Sequence, residues 1–187
     1  MIESIFPTPL YSNIASDNLL ADIQKEISNV VEKTKLDYKS DWGKTHKISS
    51  LSNNIIQDNN LINFKMFLNE NLHDYLTQLG FDANRPHRLE SWITLLDTDD
   101  YGHIHDHGNA DVSGVYYFQT NEQDGDIVFY NPAPQVDMST ILKASTWRHK
   151  PIIGKMLLFP GYLKHGIFRN ETTSTRISLS FNIFFNK

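Results

Sequence analysis

Thr175-Arg176-Ile177-Ser178-Leu179-Ser180-Phe181-Asn182-Ile183-Phe184-Phe185 is the stretch whose reading decides the fold. Ile177, Leu179, Phe181, Ile183 and Phe185 fall at alternate positions; Arg176, Ser178, Ser180 and Asn182 fill the gaps. Residues two apart on a strand share a face, so this is a strand with one apolar and one polar side. A sheet with one wet face explains the pattern most simply. If the sheet curls into a barrel, the polar side becomes the lining of a pocket instead.

Working back from that strand, short β-like runs are expected at about 89–96, 112–118, 126–130, 136–142 and 151–159, separated by Gly, Asp, Asn and Pro turns. Before them the period changes. Leu19, Leu20, Ile23, Ile27, Val30 and Val31 recur at helical spacing behind a cap at Ser16 or Asp17. Leu61, Phe64, Leu68, Leu72, Tyr75, Leu76 and Leu79 mark a second helix, started by Asp58 or Asn59 and stopped by Gly80. Residues 37–57 read as polar and irregular, and the prolines of Ile5–Tyr11 favour an extended segment. Two helices followed by many strands give an α+β class: a β-sandwich or barrel with helices packed on one face. The expected organisation is one domain over 1–187, helical to about residue 85 and β-rich from about 86.

Composition narrows the function classes. A chain of 187 residues, 40% hydrophobic and 21% charged, can bury a core and is not globally disordered. A net charge of −5 with scattered Lys and Arg argues against nucleic acid as a partner. There is no cysteine, so disulfides, thiolate metal sites and Cys nucleophiles are excluded. No apolar run reaches the length of a membrane span, and the acidic, Pro-containing start is unlike a secretory signal. A soluble cytoplasmic protein is expected. The apolar Phe184-Phe185 end invites contact with a second copy, a homodimer.

The chemistry is carried by histidine. Tyr101-Gly102-His103-Ile104-His105-Asp106-His107-Gly108 offers imidazoles at alternate positions, and His165 follows the apolar run Leu157-Leu158-Phe159. His105 with His107, or His103 with His105, can reach one ion from an extended chain, while Asp106 points away. A paired His with a distant third leaves coordination positions open, as nonheme iron requires, whereas structural zinc wants four protein ligands. Asp111 is either a further ligand, a replacement for His107, or a turn residue before the next strand. A histidine-rich loop without a metal is the bland reading of the same residues. His46, His73, His87 and His149 lack a comparable setting. On the polar side of the last strand Arg176 offers a planar fork for a carboxylate, with Ser178 as a second donor. Trp42, Trp92, Trp147 and Tyr162 are candidates for a pocket wall, Trp92 being better placed for the core. No side chain is assigned a catalytic acid–base role.

Several blocks run through the chain in a fixed order: Phe6-Pro7-Thr8-Pro9-Leu10-Tyr11, His105-Asp106-His107, Ser113-Gly114-Val115-Tyr116-Tyr117, Gly125 to Asn131-Pro132, Leu158-Phe159-Pro160, His165-Gly166, Arg176-Ile177-Ser178 and Phe181-Asn182. Together they resemble the 2-oxoglutarate/Fe(II)-dependent oxygenases with a double-stranded β-helix core, and within them a subgroup frequent in phage and marine bacterial genomes. The resemblance implies a jelly-roll core, Fe(II) as cofactor and 2-oxoglutarate as cosubstrate. It also implies oxidation, by hydroxylation, of a substrate the sequence does not identify. It makes His105, His107 and His165 the metal ligands, and Arg176 with Ser178 the cosubstrate anchor. His107 departs from the pattern, standing where better-known members carry the Asp of His-x-Asp. His105-x-His107, Asp111, and Gly154 to Pro160-Gly161 with His165 also resemble the two metal motifs of a cupin, which implies His105, His107, Asp111 and His165 all on the metal and Arg176 incidental. A third reading is a noncatalytic β-sandwich, a phage structural or carbohydrate-binding module with the histidines on a loop.

Overall fold

The structure is a computed structural model that describes residues 6–39, 43–133, 135, 138 and 144–186. In chain order its elements are β1 (Tyr11–Ile14), α1 (Asp17–Val31), β2 (Asp37–Tyr38), β3 (Lys47–Ile48), α2 (Ile55–Asp58), α3 (Ile62–Gln78), β4 (His87–Leu96), β5 (Gly102–His105), β6 (Val112–Gln119), β7 (Ile127–Tyr130), β8 (Thr146–His149), β9 (Lys155–Pro160), β10 (His165–Ile167) and β11 (Arg176–Phe185). They form a seven-stranded sheet, ordered β1-β9-β6-β11-β4-β3-β2, and a four-stranded sheet, β5-β10-β7-β8. Every pairing is antiparallel. The fold is α+β, with the two sheets making a double-stranded β-helix sandwich and the N-terminal helices covering the outer face of the larger sheet.

The final strand lies inside the larger sheet, paired along its length with β4 and β6. Its apolar side, Ile177, Leu179, Phe181 and Ile183, packs into the core shared with α1 and α3. Ile23, Ile27 and Val30 of α1, and Phe64, Phe67, Leu68, Leu72, Tyr75 and Leu76 of α3, fill that core from the other side. Burying each such side chain contributes roughly 1.5–3 kcal/mol. Gly114 of β6 is required by this packing: a Cβ there would lie 2.3 Å from the Phe181 ring and 2.9 Å from Leu158.

Helix boundaries follow local chemistry, with one tertiary override. Neither Asp58 nor Asn59 starts the long helix. Asn54 caps the short α2, and α3 begins after Leu61, which has no capping side chain. Glu26 on α1 takes over. Its carboxylate accepts from the Asn63 and Phe64 amides at 2.9 and 3.1 Å, satisfying donors a helix start leaves open. Gly80 ends the helix in the left-handed region at φ 78°, and Leu79, beyond the last turn, is 39% exposed rather than part of the stripe.

Several short strands escaped the periodic reading. β2 and β3, within the stretch expected to be irregular, extend the larger sheet past β4. β5, β8 and β10 are three or four residues long, and their Gly, His and exposed Arg carry no alternation. The run expected from 151 begins as a strand only at Lys155, after a turn at Ile153-Gly154. Apart from Met138, the strand expected over 136–142 lies outside the described residues, as does Trp42. Among the described residues no helix is long and apolar enough to cross a membrane.

Candidate active site

His105 closes β5 and His165 opens β10, and the two are direct partners across the antiparallel pair. Their rings therefore sit side by side, with centroids 4.5 Å apart. His107 reaches the same place from the turn after β5, its amide donating to the Gly161 carbonyl at 2.9 Å. Its ring lies 5.1 Å from each of the other two. The three residues each offer a nitrogen within 4.8 Å of the others, a spacing that could hold one metal ion. Nδ1–H of His105 donates to the His103 carbonyl at 2.8 Å, and Nδ1–H of His165 to the Leu163 carbonyl at 2.9 Å. A neutral imidazole has a single N–H, so these bonds place the lone pair of each ring on Nε2.

Burial keeps the rings of His107 and His165 uncharged. His165 is 5% exposed, between Phe129 and Phe159, and desolvation with the neighbouring His105 lowers it to about 3. Desolvation, then His105, lowers His107 to about 4. Both are neutral near pH 7 and have nothing to shed before ligating a cation.

On the opposing sheet, Arg176 and Ser178 line the same cavity as the three histidines. Arg176 has no exposed surface. Its Nη1 donates to the Gly125 carbonyl at 3.0 Å, and its guanidinium lies 5.0 Å from the centre of the Tyr117 ring. Nε and Nη2 are buried without a partner, as are the hydroxyls of Ser178 and Tyr117. Among the described residues no carboxylate pairs with this cation. An unpaired buried charge is costly, and three unmet polar atoms of two cavity-lining residues, with the Tyr117 hydroxyl buried nearby, fit an anion with several acceptor oxygens. Burial pushes the Tyr117 hydroxyl up to about 12, so it stays a donor.

The remaining sequence candidates separate cleanly. Asp111 is exposed and turned to the end of β11, where Oδ2 accepts from the Phe185 amide at 2.8 Å. It is no member of the cluster that His105, His107 and His165 form. His103 is exposed and stacks edge-on with Tyr101. Asp106 is exposed and accepts from the Gly108 amide. His73 and His87 are at the surface, and His149 accepts from the Trp147 indole. Trp92 is not core: it is half-buried, tilted over His107 at 5.7 Å, and lines a cleft of about 380 Å³ with Glu90, Ser91, Leu51, His107 and Asn182. Trp147 and Tyr162 are 65% and 54% exposed.

One cavity residue, His46, and one neighbour of Arg176, Tyr117, carry no sequence signal. His46 is 5% exposed, with Nδ1 at 3.2 Å from the Tyr101 carbonyl and 3.1 Å from the Thr45 hydroxyl, and burial lowers it to about 4. It lines the wall shared by His105 and Arg176. Tyr117 differs from Tyr116 only in facing the other way, and an exact register for β6 would have found it.

A two-sheet jelly roll thus carries three convergent imidazoles that could hold a metal ion, with a buried arginine lining the same cavity. Residues 90–182 match the family described as "Putative 2OG-Fe(II) oxygenase". That match spans the β core, and with it the chain is an enzyme, an oxidoreductase, rather than a noncatalytic module. No curated protein matches it in sequence. Among solved structures, a Pseudomonas putida prolyl-4-hydroxylase superposes with a TM-score of 0.66 at 13% identity, over 96% of this chain and 94% of that one. HygX from Streptomyces hygroscopicus, solved with nickel, 2-oxoglutarate and hygromycin B, gives 0.65 at 13% identity over 96% and 84%. The alpha-ketoglutarate-dependent epimerase SnoN of nogalamycin biosynthesis gives 0.68 at 10% over 95% and 78%. At such identities the likeness speaks for the fold.

Proposed function

We propose that this chain is a 2-oxoglutarate- and Fe(II)-dependent hydroxylase in which His105, His107 and His165 hold the metal. Arg176, with the hydroxyls of Ser178 and Tyr117, holds the far carboxylate of 2-oxoglutarate. The observation that carries this reading is one cavity lined by three imidazoles and by a guanidinium whose Nε and Nη2 have no partner.

The residues fit both groups. Nitrogen donors suit a borderline divalent ion such as Fe(II), and three of them leave positions for other ligands. A carboxylate accepts two N–H bonds from one arginine fork, and hydroxyl donors beside it complete the set. Bound iron supplies the redox chemistry by which 2-oxoglutarate and O2 become succinate and CO2 as a substrate is oxidised. The protein's own part is to bind, orient and keep dry. Phe129 and Phe159 exclude water around His165, and the Trp92 cleft gives a second molecule access to the imidazoles. HygX, with a divalent metal and 2-oxoglutarate together, offers a parallel for such a pair of ligands.

The test is succinate formation by the purified protein with Fe(II), 2-oxoglutarate and O2, which proceeds slowly even without the second substrate. Arg176→Met should abolish it while leaving metal binding intact. If calorimetry finds no binding of 2-oxoglutarate to the metal-loaded protein, the reading falls.

A further inference from the structure

Resting on the metal site proposed above, we infer that Asn182, backed by Ser113, is a positioning residue that sets the tautomer and direction of His107. His105 and His165 are oriented by main-chain carbonyls at Nδ1. His107 differs: its Nδ1 lies 3.3 Å from the amide of Asn182. That amide also bonds the hydroxyl of Ser113 at 2.8 Å, its direct partner across β6 and β11. Asn182 is 7% exposed and Ser113 1%, so each polar group needs the other.

An amide can exchange its oxygen and nitrogen by a half-turn while keeping the same two neighbours. With Nδ2 toward the ring, as in this structure, His107 accepts at Nδ1 and its proton sits on Nε2. With Oδ1 toward the ring, Nδ1–H donates to Asn182, Asn182 donates to the Ser113 hydroxyl, and Nε2 presents a lone pair. Only the second arrangement gives three nitrogen donors. Asn182 thus does for the third imidazole what carbonyls do for the other two, with a group that serves either tautomer. It stands on the same polar side of β11 as Arg176 and Ser178, so one strand carries both the carboxylate anchor and the amide that orients a ligand.

Cobalt(II), a coloured stand-in for iron(II), reads this without turnover. Wild type, Asn182→Ala, Asn182→Leu and Asn182→Asp are titrated with cobalt(II) by calorimetry and visible absorption, after a melting curve on each metal-free protein. Removing the acceptor with Ala or Leu should weaken cobalt binding by about 10–100-fold and alter the visible bands, as loss of a ligand's hydrogen-bond partner does elsewhere. Asn182→Asp, an acceptor of the same shape, should keep wild-type affinity or exceed it, with wild-type-like bands. Two variants at the acceptor guard against one that fails to fold. Unchanged affinity and bands in a folded Ala or Leu variant would overturn the inference. So would an equal loss in Asn182→Asp, which would mark a packing role. A wild type that binds no cobalt would instead bring down the metal site, and this inference with it.

Discussion

On the helix side of the larger sheet, β11 presents Ile177, Leu179, Phe181 and Ile183, and β6 presents Gly114 and Tyr116. On the side facing the smaller sheet, the same two strands present Arg176, Ser178, Asn182, Ser113 and Tyr117. Both sides are buried, yet their polar bookkeeping differs. Among the described residues the helix side leaves the Tyr116 hydroxyl without a partner; the other side leaves two guanidinium nitrogens and the hydroxyls of Ser178 and Tyr117. Unmet buried polar groups cost stability, so a protein that keeps several together keeps them for a ligand. One strand pair therefore separates folding from function by nothing more than alternation.

The sharpest way to break that division is to cut one residue from each side. His165→Ala should empty the metal site and lower succinate formation by at least roughly 1000-fold, beyond the 10–100-fold typical of a group one step removed from a metal. Melting of the metal-free variant should change little. Phe181→Ala should do the reverse. A buried phenylalanine cut to alanine costs about 3–5 kcal/mol, which lowers the melting temperature by roughly 6–20 °C in a chain of this size. Metal content and 2-oxoglutarate affinity, measured well below melting, should hold. Equal damage to stability and binding in both variants would dissolve the distinction.

How much of this was legible in the sequence follows the same division. Strict alternation marked β11 and its two sides, because a ten-residue strand has room to display a period. Helical spacing found α1 and α3 for the same reason. The short strands that bring the histidines together were not legible as strands: β5 and β10 hold Gly and His and exist by pairing with each other. The histidines stood out by type and order, whereas their meeting is a tertiary fact. His46 shows the limit. Nothing around it in sequence differs from a surface loop, and only folding buries it beside Arg176.

Arg176→Met sharpens the comparison from the functional side alone. Losing the charged half of a buried carboxylate contact costs about 2–5 kcal/mol, so 2-oxoglutarate affinity should fall by roughly 100-fold or more. The metal-free protein should melt no lower than wild type, since the change removes an unpaired buried cation. A marked drop in melting temperature would mean that the guanidinium supports the fold, and that its unmet donors are no sign of a ligand.

Acid should weaken the functional side next. His107 and His165 lie at about 4 and 3 in the folded protein, below the 6.5 of an unconstrained ring. As pH falls through 6.5 the unfolded chain takes up protons that the folded one refuses. The stability of the metal-free protein is therefore undiminished above about pH 6.5 and declines toward pH 4, by a total on the order of a few kcal/mol. Melting curves from pH 8 to 5 check the sign, and His165→Ala should flatten the slope.

The smallest expected effect decides between two ligand sets. Asp111 carries a carboxylate four residues beyond His107, the distance at which a cupin-like site would recruit it. In the structure it bonds the Phe185 amide at 2.8 Å while its own amide donates to the Ile183 carbonyl at 3.0 Å, tying the end of β11 to the start of β6. Replacing it with alanine removes one exposed hydrogen bond, about 1 kcal/mol, or roughly 2–4 °C of melting temperature. Cobalt(II) affinity should be unchanged. A loss comparable with that of His165→Ala would make Asp111 a ligand after all, and would require the loop from His107 to Val112 to turn inward when metal binds.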